Sequence, residues 1–301
     1  MQQPAIQGSL QRVQQNSNQS YGHPIIEPST HRNLQVFSKV CSTGDLESVT
    51  VLAAGNHAPN NAYYLNFGLV SAIIHRQIDI VRYLLSCGAA IDDSVTAMAV
   101  KAASLPVFEI LLSHGWDVNA SFMGGQTALL NLLKHDDLIR WLLAHGANPN
   151  LGPPSSPQPR ALPVTDSGAV LDTAASIASP EVFGLLLQRG AKLENSLPLH
   201  AAAASASKTD DESIAMMEYL LQLGVDIDGS DEARGFRALG TPLHYAIRGR
   251  MMDRVKFLLM KGSDVKAAGQ GGVTALMLAK QTGKEELVAL IENCEKDGRA
   301  A

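Results

Sequence analysis

The sequence predicts an all-α solenoid of short helix pairs stacked side by side, each pair joined to the next by a β-hairpin-like turn. Two observations carry this. An ending of the form Leu-Leu-x-x-Gly recurs at Leu84-Leu85, Leu111-Leu112, Leu142-Leu143, Leu186-Leu187, Leu220-Leu221 and Leu258-Leu259, closed by Gly88, Gly115, Gly146, Gly190, Gly224 and Gly262. Upstream of the last of these the chain reads Thr241-Pro242-Leu243-His244-Tyr245-Ala246.

Each part of that final unit has a mechanical reading. Thr241 suits an N-cap, because its hydroxyl can accept from a backbone N–H of the first turn. Pro242 fits the first helical position, where its missing N–H is not needed. Leu243, Ala246 and Ile247 fall on one face of a helix, and Gly249 permits the chain to reverse. Met252, Val255, Leu258 and Leu259 form the apolar stripe of a second helix, ended by Gly262 in a left-handed conformation. One such pair cannot bury its own apolar face, so it must stack on neighbours.

Other copies are more or less regular. Leu171-Asp172-Thr173-Ala174-Ala175 starts the most regular one, and Leu197-Pro198-Leu199-His200-Ala201-Ala202 starts another. Thr127-Ala128-Leu129 begins a copy with a short inter-helix turn, and the unit ending at Gly115 is also shortened. The unit ending at Gly88 has lost the Thr-Pro-Leu-His start. Val40-Cys41 to Val49 reads as a degenerate first unit, and Gly272 to Ile291 as the last.

Thr-Pro-Leu-His-x-Ala with these endings resembles the ankyrin repeat. The resemblance spans residues 33–296 and about eight units, several of them degenerate. Insertions lie near 151–167, rich in proline, and 205–212. Residues 1–32 are Gln-, Ser- and Asn-rich and expected to form a disordered tail. Residues 297–301 form a second, short tail. The resemblance implies a non-enzymatic module that binds a protein partner on its concave side and hairpin tips, as adaptor, scaffold or stoichiometric inhibitor. An accessory subunit of an enzyme assembly, such as a ubiquitin ligase or biosynthetic complex, is the alternative.

Composition narrows the partners. Net charge is −5 and aromatic residues make up 5% of the chain. That gives no basic footprint for nucleic acid and no apolar run of membrane-spanning length. Cys41, Cys87 and Cys294 are odd in number and fall in different units, which fits a reducing compartment, cytoplasm or nucleus. A monomer is expected.

No chemistry-bearing pattern emerges: no Cys-x-x-Cys, no His-Glu-x-x-His, no Gly-x-Ser-x-Gly. Gly269-Gln270-Gly271-Gly272 lacks a following Lys-Ser/Thr and reads as the last unit's hairpin turn. No catalytic residue, metal or cofactor is therefore expected. His200 and His244 are expected to bond backbone near their own hairpins, and Trp116 to fill space left by its shortened unit.

For binding, Tyr245, Arg248 and Arg250 fall on or just after a first helix. Phe122 and Met123 lie in the hairpin before Thr127, and Arg234, Phe236 and Arg237 at the tip of a long hairpin. Aromatic and Arg residues are enriched among interface anchors. Charge is asymmetric: residues 206–232 hold eight acids and one base, and residues 234–261 hold seven bases and one acid. Either neighbouring helices pair with each other, or a bipolar groove steers a partner.

Overall fold

A computed structural model describes residues 28–54, 61–154, 161–232 and 238–296. These residues form sixteen α-helices that follow one another in pairs. They are α1 (Pro28–Thr43) and α2 (Leu46–Ala54), α3 (Asn61–Ile74) and α4 (Ile78–Ser86), and α5 (Asp93–Ala102) and α6 (Leu105–Ser113). A two-stranded hairpin, β1 (Ser121–Phe122) with β2 (Gln126–Thr127), leads into α7 (Ala128–Asn131) and α8 (Asp136–Ala144). Then come α9 (Ala169–Ile177) and α10 (Pro180–Gln188), α11 (Pro198–Ala204) and α12 (Asp210–Gln222), α13 (Pro242–Arg248) and α14 (Met252–Met260), and α15 (Ala275–Thr282) and α16 (Glu285–Lys296). The first turn of α1 thus reaches back into the segment assigned to the tail.

Two layers result. Each first helix packs against the first helix of the preceding and following pair, from α1 through α15. Second helices lie behind them and meet their own kind, as α4 meets α6 and α12 meets α14. The core is one continuous apolar cluster from Phe37 to Ile291. Leu243, Ala246, Ile247, Val255 and Leu258 are all fully buried in it.

The six closing glycines, Gly88 to Gly262, have φ between 81° and 94°, a region that costs an L side chain strain. A Cβ there would meet no atom within 4 Å, so the backbone angle, not space, demands glycine. Gly68 is the opposite case. It sits mid-helix in α3, where a methyl group would run into the Phe37 ring and lie 2.9 Å from Cys41 Sγ. Its absence of a side chain lets α1 and α3 close up, with Phe37 stacked on Tyr64 at 4.2 Å.

Both insertions are built into the stack. The one near 151–167 closes at its base through a Gly152–Val164 bridge, and its Pro153 and Pro163 lean on Gly125 in the preceding hairpin. Residues 155–160 lie outside the described part. The other supplies the loop before α12 and that helix's first turn, fixed by a capping box between Thr209 and Glu212. The Gly269–Gly272 segment forms the expected turn, bridged at Ala268 and Thr274.

Candidate protein-interaction surface

Each first helix is used on three sides: by the two neighbouring first helices and by the second helix behind it. The fourth side, together with the hairpin tips, is the surface left to a partner. Where the sequence candidates fall relative to it decides their roles.

Met123 is 74% exposed at a hairpin tip, held at φ 38°. Phe122, its neighbour, is buried at 7% exposure. This corrects the expectation that Phe122 is a contact anchor: it is paired with Gln126 and covered, while Met123 follows it in the turn at positive φ and projects outward. Arg248 and Arg250 are exposed at the end of α13. Arg234, Phe236 and Arg237 lie outside the described residues.

Tyr245 is half-buried, and its hydroxyl is committed to Asp231. Asp231 is the centre of a polar knot that the sequence did not reveal. It is 1% exposed and accepts from the amides of Leu239 (2.8 Å) and Gly240 (2.7 Å) as well as from Tyr245. Burial alone would raise its carboxyl, but these donors hold it below the usual carboxylate range. The Gly240 carbonyl accepts from His200 Nε2 at 3.0 Å, and the His200 and Tyr245 rings meet edge to face at 5.4 Å. The knot ties Asp231 to Leu239 and Gly240, just before α13.

The histidines act between units, which corrects the reading that each serves its own hairpin. His200 reaches the next hairpin at Gly240, and His244 Nε2 reaches Val273 in the hairpin after that, at 3.1 Å. A carbonyl can only accept, so both rings carry their proton on Nε2. His244 Nδ1 then accepts the Thr241 amide at 3.2 Å and ties the helix start. Burial lowers both pKa values, partly offset by the carbonyl bonds and by Asp231.

The charge asymmetry resolves in part into internal pairing, with two ion pairs joining the acidic stretch to the basic one among the described residues. Arg254, 1% exposed on a second helix, pairs with Asp210 at 2.8 Å and donates to the carbonyls of Ala202, Ala203 and Ser205, with Ser205 the shortest at 2.5 Å. It thereby caps the C-terminus of α11 from the neighbouring unit. Lys261 pairs with Glu218 at 2.7 Å, and Asp228 accepts from Ser263 and Asp264. Lys208 donates to Ala175 of the preceding unit at 3.1 Å; burial pushes it down to about 8, with Glu212 opposing and Arg254 adding. Trp116 is buried against Phe108 and donates to Thr96, so it fills its unit as expected.

The exposed side of the first helices is uneven. On α3 it carries Tyr63, Phe67, Val70 and Ile74, with Tyr63 52% and Phe67 39% exposed and their rings 6.5 Å apart. Toward the other end it carries Arg248 and Met277. Sequence reading passed over α3 because its unit lacks the Thr-Pro-Leu-His start. The spacing of those four residues, beside a core face of Leu65, Leu69, Ala72 and Ile73, was the signal.

Cys41 is buried, and burial pushes its thiol up to about 12, which leaves it without thiolate character. Among the described residues, no group of three or more His, Cys, Asp or Glu is placed to hold a metal, and no helix is long and apolar enough to cross a membrane.

The repeated helix pair, the left-handed closing glycine and the inter-unit histidine recur as one pattern. A family model for ankyrin repeats, in three copies, matches residues 69–153 and 206–301, more than half of the chain. This chain belongs to the ankyrin-repeat family. An ankyrin repeat protein of Acanthamoeba polyphaga mimivirus is 32% identical over 95 residues. That alignment covers 32% of this chain but only 12% of the viral protein. Ankyrin repeats generally mediate protein–protein interaction and are typically not enzymes.

Proposed function

We propose that this chain is a non-catalytic protein-binding module, acting as adaptor, scaffold or stoichiometric inhibitor. The observation that carries this is the continuous row of first helices, whose fourth side holds exposed apolar and cationic groups along its length: Tyr63 and Phe67 at one end, Arg248 and Met277 at the other. Met123 at its hairpin tip and Arg250 at the α13–α14 turn extend the surface. Tyr245 contributes indirectly, by bonding Asp231, which holds the chain at Leu239 and Gly240.

Affinity capture followed by mass spectrometry tests this. A variant carrying Phe67→Ser, Met123→Ser, Arg248→Glu and Met277→Ser changes the surface along its length and leaves the core intact. Surface changes of this kind cost little stability, while interface anchors can each carry about 2 kcal/mol or more. The variant is expected to keep its circular dichroism and lose the wild-type partners. Recovery of the same partners at the same strength contradicts the proposal.

A further inference from the structure

We infer that the open face of α1, α3 and α5 is a docking site for an acidic amphipathic helix of a partner protein. The inference rests on the protein-binding reading above and assigns a place and a partner chemistry to it.

Three sides of α3 are accounted for. Tyr64 stacks on Phe37, and Ser71 donates to the Ser38 carbonyl of α1 at 2.8 Å. Asn66 faces the next unit, donating to Asp92 and accepting from the Ala90 amide at 2.7 Å. Leu65, Leu69, Ala72 and Ile73 enter the core. The fourth side carries Tyr63, Phe67, Val70 and Ile74 at i, i+4, i+7 and i+11, so α3 has an apolar face turned outward as well as one in the core. A helix of that kind in water has a face to cover. From Tyr63 to Ile74 the stripe runs about 16 Å, three turns, which matches the apolar edge of an amphipathic helix lying in a groove.

The flanks set the sign of the partner. Val36 on α1 and Met98 on α5 continue the apolar surface. Arg32 and Lys39 lie on the Val36 side of α1, and Lys101 on the Met98 side of α5, all exposed. Asp93, in the first turn of α5, is the exposed acid near this group, while Asp92 is committed to Asn66, Ser94 and the Val95 amide. A helix with a leucine-like stripe and carboxylates on both shoulders would meet bases on both sides. Two other occupants fit less well. Residues 1–27 of this chain have Ile6, Leu10 and Val13 at helical spacing, but Glu27 is their one acid. A second copy in a two-fold contact would set the same three bases against one another.

The test uses two synthetic sixteen-residue helical peptides with leucine at i, i+4, i+7 and i+11. One has glutamate at the flanking positions and the other lysine. Binding to the full chain is read by fluorescence anisotropy. The glutamate peptide is expected to bind at least tenfold more tightly than the lysine peptide. Phe67→Ser is expected to weaken it tenfold or more, and Lys39→Glu with Lys101→Glu to reverse the preference. Lys256→Ala, on a second helix, is expected to change nothing. All four changed residues are exposed, so circular dichroism should stay as in the wild type. Equal binding of both peptides, or indifference to Phe67→Ser, overturns the inference. So does tighter binding by a synthetic peptide of residues 1–27, or a concentration-dependent dimer that Phe67→Ser abolishes. If the peptides fail while the four-residue variant still loses captured partners, the docking site falls and the protein-binding reading stands.

Discussion

The stack from α9 to α15 and the stack from α1 to α5 share one architecture and are held together differently. In the C-terminal stack, buried polar groups cross every joint: Ser205 to α9, assisted by the half-buried Lys208, His200 to Gly240, His244 to Val273, Arg254 to the end of α11. In the N-terminal stack, the α1–α3 joint is mainly apolar, Phe37 on Tyr64 over Gly68 beside the buried tie from Ser71 to Ser38, and the next joint is tied by Arg76 to the Ala102 carbonyl at 2.7 Å and by the exposed bond from Asn66 to Asp92. Arg76 is exposed and Arg254 is not. Buried polar bonds are directional and fix register, whereas apolar stacking fixes only shape. The end with fewer buried polar ties is also the end with an apolar face turned outward.

The largest effect expected from this contrast is at the two arginines. Arg254→Ala strips buried carbonyls of their donor and leaves the partly exposed Asp210 unpaired, and should cost about 2–3 kcal/mol. Arg76→Ala removes one part-buried bond from an exposed side chain and should cost about 1 kcal/mol. Urea unfolding of both variants measures the gap. Equal costs would mean that the C-terminal ties are not what holds that stack.

Gly68→Ala probes the apolar joint. The added methyl meets the Phe37 ring, part of the packed core, so overpacking should cost about 1–3 kcal/mol. Hydrogen exchange should show α1 and α2 loosened while α11 to α15 stay protected, because solenoid units couple chiefly to neighbours. Uniform loss along the chain would contradict the comparison.

A smaller, opposite asymmetry is expected with acid. Burial lowers the pKa of His200 and His244, so the unfolded chain binds protons more readily than the folded one just below the ordinary histidine value. Their contribution is complete above about pH 6.5 and declines as pH falls through that value. His200 and His244 are the fully buried histidines among the described residues, and both lie in the C-terminal stack. Hydrogen exchange, corrected for intrinsic rates, should therefore show α11 and α13 losing protection between pH 7.5 and 5.5 before α3 and α5 do. Lys208 has the same sign in a higher window: with its pKa depressed to about 8, that joint should gain stability as pH rises from 8 toward the unfolded value of 10.5.

Much of this was legible in the sequence, for a definite reason. Leu-Leu-x-x-Gly and Thr-Pro-Leu-His are local devices, a helix stripe, a cap and a left-handed stop, so they can be read without knowing the neighbours. Arg254, Asp231 and the destinations of His200 and His244 could not be read that way. Arg254 counted as one base among seven, because its carbonyl partners lie some fifty positions earlier in the chain. Phe122 and Met123 looked alike as hairpin residues until strand pairing separated them. The α3 face was missed for want of a motif, although its spacing was present.

The most direct measurement is hydrogen exchange on the full chain with and without the glutamate peptide. Binding should protect amides in Asn61–Ile74 and Asp93–Ala102 and leave Pro242–Arg248 unchanged. Protection confined to Pro242–Arg248 and its hairpin would contradict the division of labour between the two stacks.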